Sequence, residues 1–211
     1  LNNLAWLAAV RLGDLKLAYE LGSKAHDLRP ADPFTSDTFG WVLYLRGDYP
    51  RSLALITESA KALPQEPEVQ FHLGMAHYMM GEEAPARVAL QNALQLAREG
   101  DWRSDAAQRL RLLDLDPASA DVQTVGELKA MSARSPEDPI LLLRQAAIAD
   151  RDGNWDQAAT YYSNALKINP NLVTATIKLS QLLATKLHNP PKALELARRA
   201  RELSPDDPVI T

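Results

Sequence analysis

The chain has 211 residues, 46% of them hydrophobic and 24% charged, with a formal charge of -4, which places it among ordered proteins rather than disordered ones. The charge is spread evenly. Residues 1–97 hold 8 basic and 11 acidic side chains and residues 98–211 hold 15 and 16, so neither half has the basic surplus of a phosphate-backbone binder and nucleic acid is a poor fit. With no cysteine, disulfides, thiolate zinc sites and cysteine nucleophiles are excluded. No stretch reaches the ~18 consecutive apolar residues of a membrane span, and no charged segment followed by an apolar one opens the chain; no insertion of this segment into a membrane is expected.

In chain order, the first elements are two helices on either side of Gly13-Asp14, the sequence entering a few positions inside the first helix and stopping, at SPDDPVIT, where another unit would begin. This reads as a segment of a longer protein. Gly13, Gly47 and Gly81 are 34 residues apart, as are Pro30 and Pro64, then Pro136 and Pro170, with Pro205 following after 35. A period of this length marks stacked helical hairpins. In the second unit Phe39, Gly40 and Leu43 recur at helical spacing, as do Leu53, Ile56 and Ala60, so each helix has a stripe to bury. Gly47 ends the first helix in a left-handed conformation, Asp48 caps the second, and Pro50 is tolerated in its first turn. Gly153-Asn154 repeats the device and Asn189-Pro190-Pro191 is a variant of it. Small residues at Gly40, Gly74, Ala146 and Ser180, and at Ala18, Ser52, Ala86, Ala158 and Ala193, fall at equivalent places where helices approach closely.

Pro64 and Pro136 are 72 residues apart, two periods plus four, so the fourth unit is irregular. A short helix is expected in REGDWRSDAAQRLRLLDLD and a second in SADVQTVGELKAMSARSP. Either this is a degenerate repeat that continues the array, or residues 98–118 cap the first three units and form a joint. The domain reading is accordingly 1–97 for units one to three, 98–136 for the irregular unit or joint, and 137–211 for units five and six.

These units resemble the tetratricopeptide repeat. The third matches through Gly74, Gly81, Ala86 and Ala93, the fifth through Gly153, Ala158, Tyr162, Ala165 and Pro170, and the sixth through Ala193, Ala197, Ala200 and Pro205. The first departs by carrying Trp6 at the usual small site. The resemblance implies an all-α fold, a right-handed α-solenoid of about six helical hairpins with the fourth degenerate. It also implies a concave groove lined by fixed positions of each unit. In units two and three those positions hold Phe34, Asp37, Thr38, Trp41, Tyr44, Leu45, Glu68, Phe71, His72, Met75, Tyr78 and Met79, joined by Leu4 and Leu7 from the first. Such an aromatic and Met-rich face suits a protein or peptide partner, with packing of residues such as Trp41 and Tyr78 against neighbouring helices or a further segment of the full-length chain as the alternative. Trp41→Ala and Tyr78→Ala are expected to weaken partner capture while leaving helicity intact.

In the second half the equivalent positions hold Arg109, Leu143, Arg144, Ala147, Arg151, Lys178 and Gln181. Arg144, Arg151 and Lys178 form an expected basic patch for carboxylates, with charges that merely solvate the array as the alternative. The chaperone-tail clamp of the family is not matched: Asn3, Leu7, Thr38, Glu68 and His72 occupy its places in the first three units, and Leu113 stands where Asn is expected later. Catalysis finds no motif, for His72 and His77 are five apart and no phosphate loop or nucleophile elbow occurs. No metal or cofactor is expected. The phrases NNLAWL, DTFGWVLYLRGDY and EVQFHLGMAHYMMGE resemble bacterial tetratricopeptide proteins of exopolysaccharide assembly and export, including lipoproteins of PEP-CTERM-associated systems. That resemblance implies an envelope location and partners in a polysaccharide-secretion complex. A regulatory region of a larger enzyme such as a glycosyltransferase, and self-association as a homo-oligomer through the apolar groove, are the alternative readings.

Overall fold

A computed structural model of the chain describes residues 1–205; the segment 206–211, where the sequence places the start of a further unit, lies outside the described residues. The described chain is all-α. It divides into two units, Leu1–Leu110 and Arg111–Thr211.

Unit 1 contains α1 (Asn2–Leu7) continuing into a π-helical turn (Ala8–Leu12), then α2 (Leu15–Leu28), α3 (Pro33–Leu45), α4 (Tyr49–Ala62), α5 (Pro67–Met80) and α6 (Glu83–Leu96). The boundary falls within α7 (Arg103–Asp114). Unit 2 continues with α8 (Val122–Arg134), α9 (Pro139–Arg151), α10 (Trp155–Ile168), α11 (Val173–Thr185) and α12 (Pro190–Leu203). Four hairpins pack most extensively between their own two helices, α3 with α4, α5 with α6, α9 with α10 and α11 with α12. The second helix of a hairpin then meets the first of the next, as α4 does α5 and α10 does α11.

Local sequence sets the helix ends. Gly13, Gly47, Gly81 and Gly153 take φ of 67°, 81°, 75° and 77° at the hairpin turns, a conformation that costs other residues a Cβ clash. In the sixth hairpin His188 takes that role at φ 49°. Asp14, Asp32, Asp121, Asp138 and Asn189 each accept a backbone N–H in the first turn of the helix they open, satisfying donors the helix itself cannot. Asp48 stands at the N-cap of α4 but does not cap it through its side chain; its carboxylate pairs with Arg51 at 3.1 Å instead.

The small residues hold the hairpins together. Gly40, Gly74, Ala146 and Ser180 on first helices, and Ala18, Ser52, Ala86, Ala158 and Ala193 on second helices, are all buried. A Cβ on Gly40 would lie 2.6 Å from Ile56 Cγ1, and one on Gly74 would lie 2.6 Å from Leu90 Cγ. In α1 the equivalent residue is Trp6, half-buried beneath the Arg11 guanidinium at 5.8 Å. The π-helical turn follows directly after this departure.

Candidate functional site

Within unit 1 the positions that line a groove in the repeat family divide into two sets. Phe71, His72, Met75, Tyr78 and Met79 of α5, and Thr38 of α3, are buried. The expected accessible Met-rich face of the third unit is therefore interior. Helix α7 and the residue before it account for part of this: Trp102 stacks on Phe71 at 5.1 Å, and the Arg109 guanidinium lies 5.1 Å over Tyr78 while pairing with Asp105.

Trp41 is held on both faces. Tyr44 stacks on it at 4.4 Å and 5°, and His72 at 4.1 Å and 18°. Rings that close cannot share one face of an indole, so Trp41 is sandwiched between them. The carboxylate of Asp37 lies 3.0 and 3.1 Å from His72 Nδ1; the tautomer protonated there donates to it and fixes the imidazole against the indole. Stacked pairs of this kind contribute roughly 0.5–1.5 kcal/mol each beyond their buried area. Burial pushes the Tyr44 phenol well above the ordinary tyrosine range, an effect only partly offset by the positive charge of Arg109. The ladder is thus largely self-satisfied, and its half-buried edge is formed by Trp41, Tyr44 and Trp102.

The second set is open. Leu4 and Phe34 are each 55% exposed and Leu7 43%, with Val10 and Leu45 exposed beside them in sequence register. All five occupy groove positions of the first two hairpins. Val10 is the member the sequence reading missed, although it follows Leu7 by one helical step.

Of the three basic residues expected to form a patch in unit 2, Arg144 and Arg151 are committed. Arg144 Nε donates to Leu112 O at 3.0 Å and Arg144 Nη2 to Leu113 O at 3.3 Å. Arg151 Nη1 donates to the carbonyls of Pro117, Ala118 and Ala120, and its Nε to Asp152 at 2.8 Å. The guanidinium groups read as a carboxylate patch are hydrogen-bonded to the end of α7 and the loop after it. Only Lys178 of the three projects to solvent without a polar partner among the described residues. No sequence signal separates an arginine that binds a neighbouring backbone from one that awaits a ligand. No group of three or more His, Asp or Glu side chains suited to a metal ion occurs among the described residues, and no described helix is long and apolar enough to cross a membrane.

Residues 38–101 and 143–208 match the sequence profile of the tetratricopeptide repeat family. The chain is a tetratricopeptide repeat protein. Among solved structures, it is similar to the P58(IPK) tetratricopeptide domain, at 16% identity and a TM-score of 0.54 over 99% of this chain and 60% of that one; it thus spans less than two thirds of that domain. It is also similar to YrrB, described as having an unusual peptide-binding site, at 17% identity, TM-score 0.41, covering 90% and 95% of the two chains. A third is the TPR2AB domain of yeast Sti1 in its pHSP90 complex, at 15% identity, TM-score 0.43, covering 96% and 90%. At these identities the likeness is one of fold. Comparison with curated protein sequences gave no match. In this tetratricopeptide protein the hairpin frame is regular where the profile matches, and the unmatched stretch between contains α8, which buries only Leu128.

Proposed function

We propose that this tetratricopeptide protein is a non-catalytic scaffold that binds an apolar segment of a partner protein along α1, the π-helical turn and α3. The observation that carries this reading is the run of exposed Leu4, Leu7, Val10, Phe34 and Leu45 on the first helices of two successive hairpins. Isolated exposed apolar residues are ordinary, but a contiguous set at one face marks an interaction surface. Trp41 and Tyr44 form the rigid edge of that surface, and the buried α5 residues support it from within. The three phrases quoted above favour a partner in a bacterial envelope polysaccharide assembly or export complex.

The test is affinity capture from native extract with the wild type and with a Leu7→Asp/Phe34→Asp double variant, read by mass spectrometry. The double variant is expected to keep its helical circular dichroism and to lose the specific partner. Capture unchanged by both substitutions would remove the proposal. Association of the wild type into dimers, disrupted by the same variant in sedimentation, would favour self-association instead.

A further inference from the structure

Unit 2 carries an apolar crevice that the groove reading does not use. It opens where the end of α7 meets α8, with a volume of about 300 Å³, at the small end of the range for ligand pockets. Leu112 and Leu128 line it and are each 2% exposed, with Met131 beside them. The crevice exists because α8 is under-covered. Its apolar residues recur at Val122, Val125, Leu128 and Met131, yet only Leu128 is buried and Val122 is 90% exposed. In the regular hairpins, by contrast, α6 buries Ala86, Ala89, Leu90 and Ala93.

The rim has a sign. Arg111 and Arg134 both line the crevice, both are exposed, and neither forms an ion pair among the described residues. Glu127, the one acidic lining residue, accepts a hydrogen bond from Gln123 Nε2 at 3.0 Å. Arg144 and Arg151 are bound to backbone carbonyls, and Arg111 and Arg134 are the cations that line the crevice. An apolar floor between two uncommitted guanidinium groups fits aliphatic side chains flanked by carboxylates, which guanidinium binds in forked pairs.

We propose that this crevice is a second docking site, taking a partner helix that places leucine-like side chains in the floor and acidic residues one turn away against Arg111 and Arg134. The site is independent of the face in unit 1. Its volume admits one or two aliphatic side chains and leaves a large cofactor outside.

The test uses the full chain and a fluorescein-labelled helical peptide with leucines at i and i+4 and glutamates one turn to either side, beside a copy with lysine at each glutamate. Anisotropy titration is expected to give binding of the acidic peptide at least about tenfold tighter than of the lysine copy, a difference of about 1.4 kcal/mol. An Arg111→Glu/Arg134→Glu variant should invert that preference. Ala130→Trp, placed at an exposed lining residue so that it fills the crevice without entering the core, should abolish binding, while Leu7→Asp/Phe34→Asp should leave it unchanged. Absence of binding by the wild type, equal binding of both peptides, or binding indifferent to the charge reversal would overturn the proposal. So would capture by phosphatidylglycerol vesicles in place of the peptide.

Discussion

Gly74 shows how tightly single positions are set. Its missing Cβ would meet Leu90 Cγ at 2.6 Å and the Leu90 backbone nitrogen at 3.0 Å, and the backbone cannot step aside as a flexible side chain can. Gly74→Ala is expected to destabilise unit 1 by about 1–3 kcal/mol, measured by urea unfolding. Trp41 is held as a structural residue between Tyr44 and His72. Trp41→Ala removes both stacks, so its cost should approach the roughly 3–5 kcal/mol of a core aromatic, and Tyr78→Ala opens a cavity at a fully buried site. Neither substitution isolates binding from folding, contrary to the expectation from sequence; Leu7 and Phe34 do so because they touch solvent. Titration also belongs to this scale. Burial, reinforced by the charge of Asp150, pushes the Tyr162 phenol up to about 12, against about 10 in an unfolded chain. Between those values the unfolded state has lost the proton and the folded state keeps it, so stability falls as pH rises through that window. Below pH 10 the contribution is constant. Tyr162→Phe should flatten the decline between pH 10 and 12 in denaturant titrations.

Elements of this chain are joined by arginines that reach backward. Arg103 donates to the Leu94 and Ala97 carbonyls at the end of α6, and Arg144 to those of Leu112 and Leu113 at the end of α7. Helix C-termini leave four carbonyls unsatisfied and carry partial negative charge, so a guanidinium there answers both. Arg144→Met keeps the stem's packing and removes the charge-assisted bonds to the Leu112 and Leu113 carbonyls. It should cost about 1–3 kcal/mol and speed amide exchange at residues 114–121. Arg144→Lys should fail to restore the wild-type behaviour, since an ammonium lacks the rigid planar fork that presents separate donors to the two carbonyls. The same commitment explains why Arg144 and Arg151, two members of the expected basic patch, are taken up by backbone carbonyls rather than left for a ligand.

Across the molecule, cover is uneven. Helix α9 buries nine residues, including Ile140, Leu141 and Ala146, whereas α8 buries Leu128 alone. In a repeat array stability is close to a sum of neighbouring interfaces, so local opening follows local burial. Amides of α8 are expected to exchange well before those of α9 and α5 in hydrogen-exchange mass spectrometry. Uniform protection across α8 and α9 would contradict this reading. The same inequality places the two proposed contact surfaces: unit 1 exposes apolar residues on its first helices, and unit 2 exposes them on its least covered helix.

By itself the sequence determined the hairpin frame. Left-handed glycines, N-cap aspartates and small contact residues act through backbone geometry and nearest-neighbour packing, and these repeat with the period. It also placed the irregular stretch, because an off-period proline and a missing turn glycine are local facts. Accessibility was decided only by tertiary structure. Phe34 and Phe71 hold groove positions of successive hairpins, yet one faces solvent and the other lies beneath Trp102, a residue 31 positions away that no periodicity connects to it. The fate of Arg144 was settled the same way, by a helix end that folding brings within hydrogen-bonding reach. Burial and partnership depend on what covers a side chain, and in a stack of hairpins that cover comes from the neighbouring repeat.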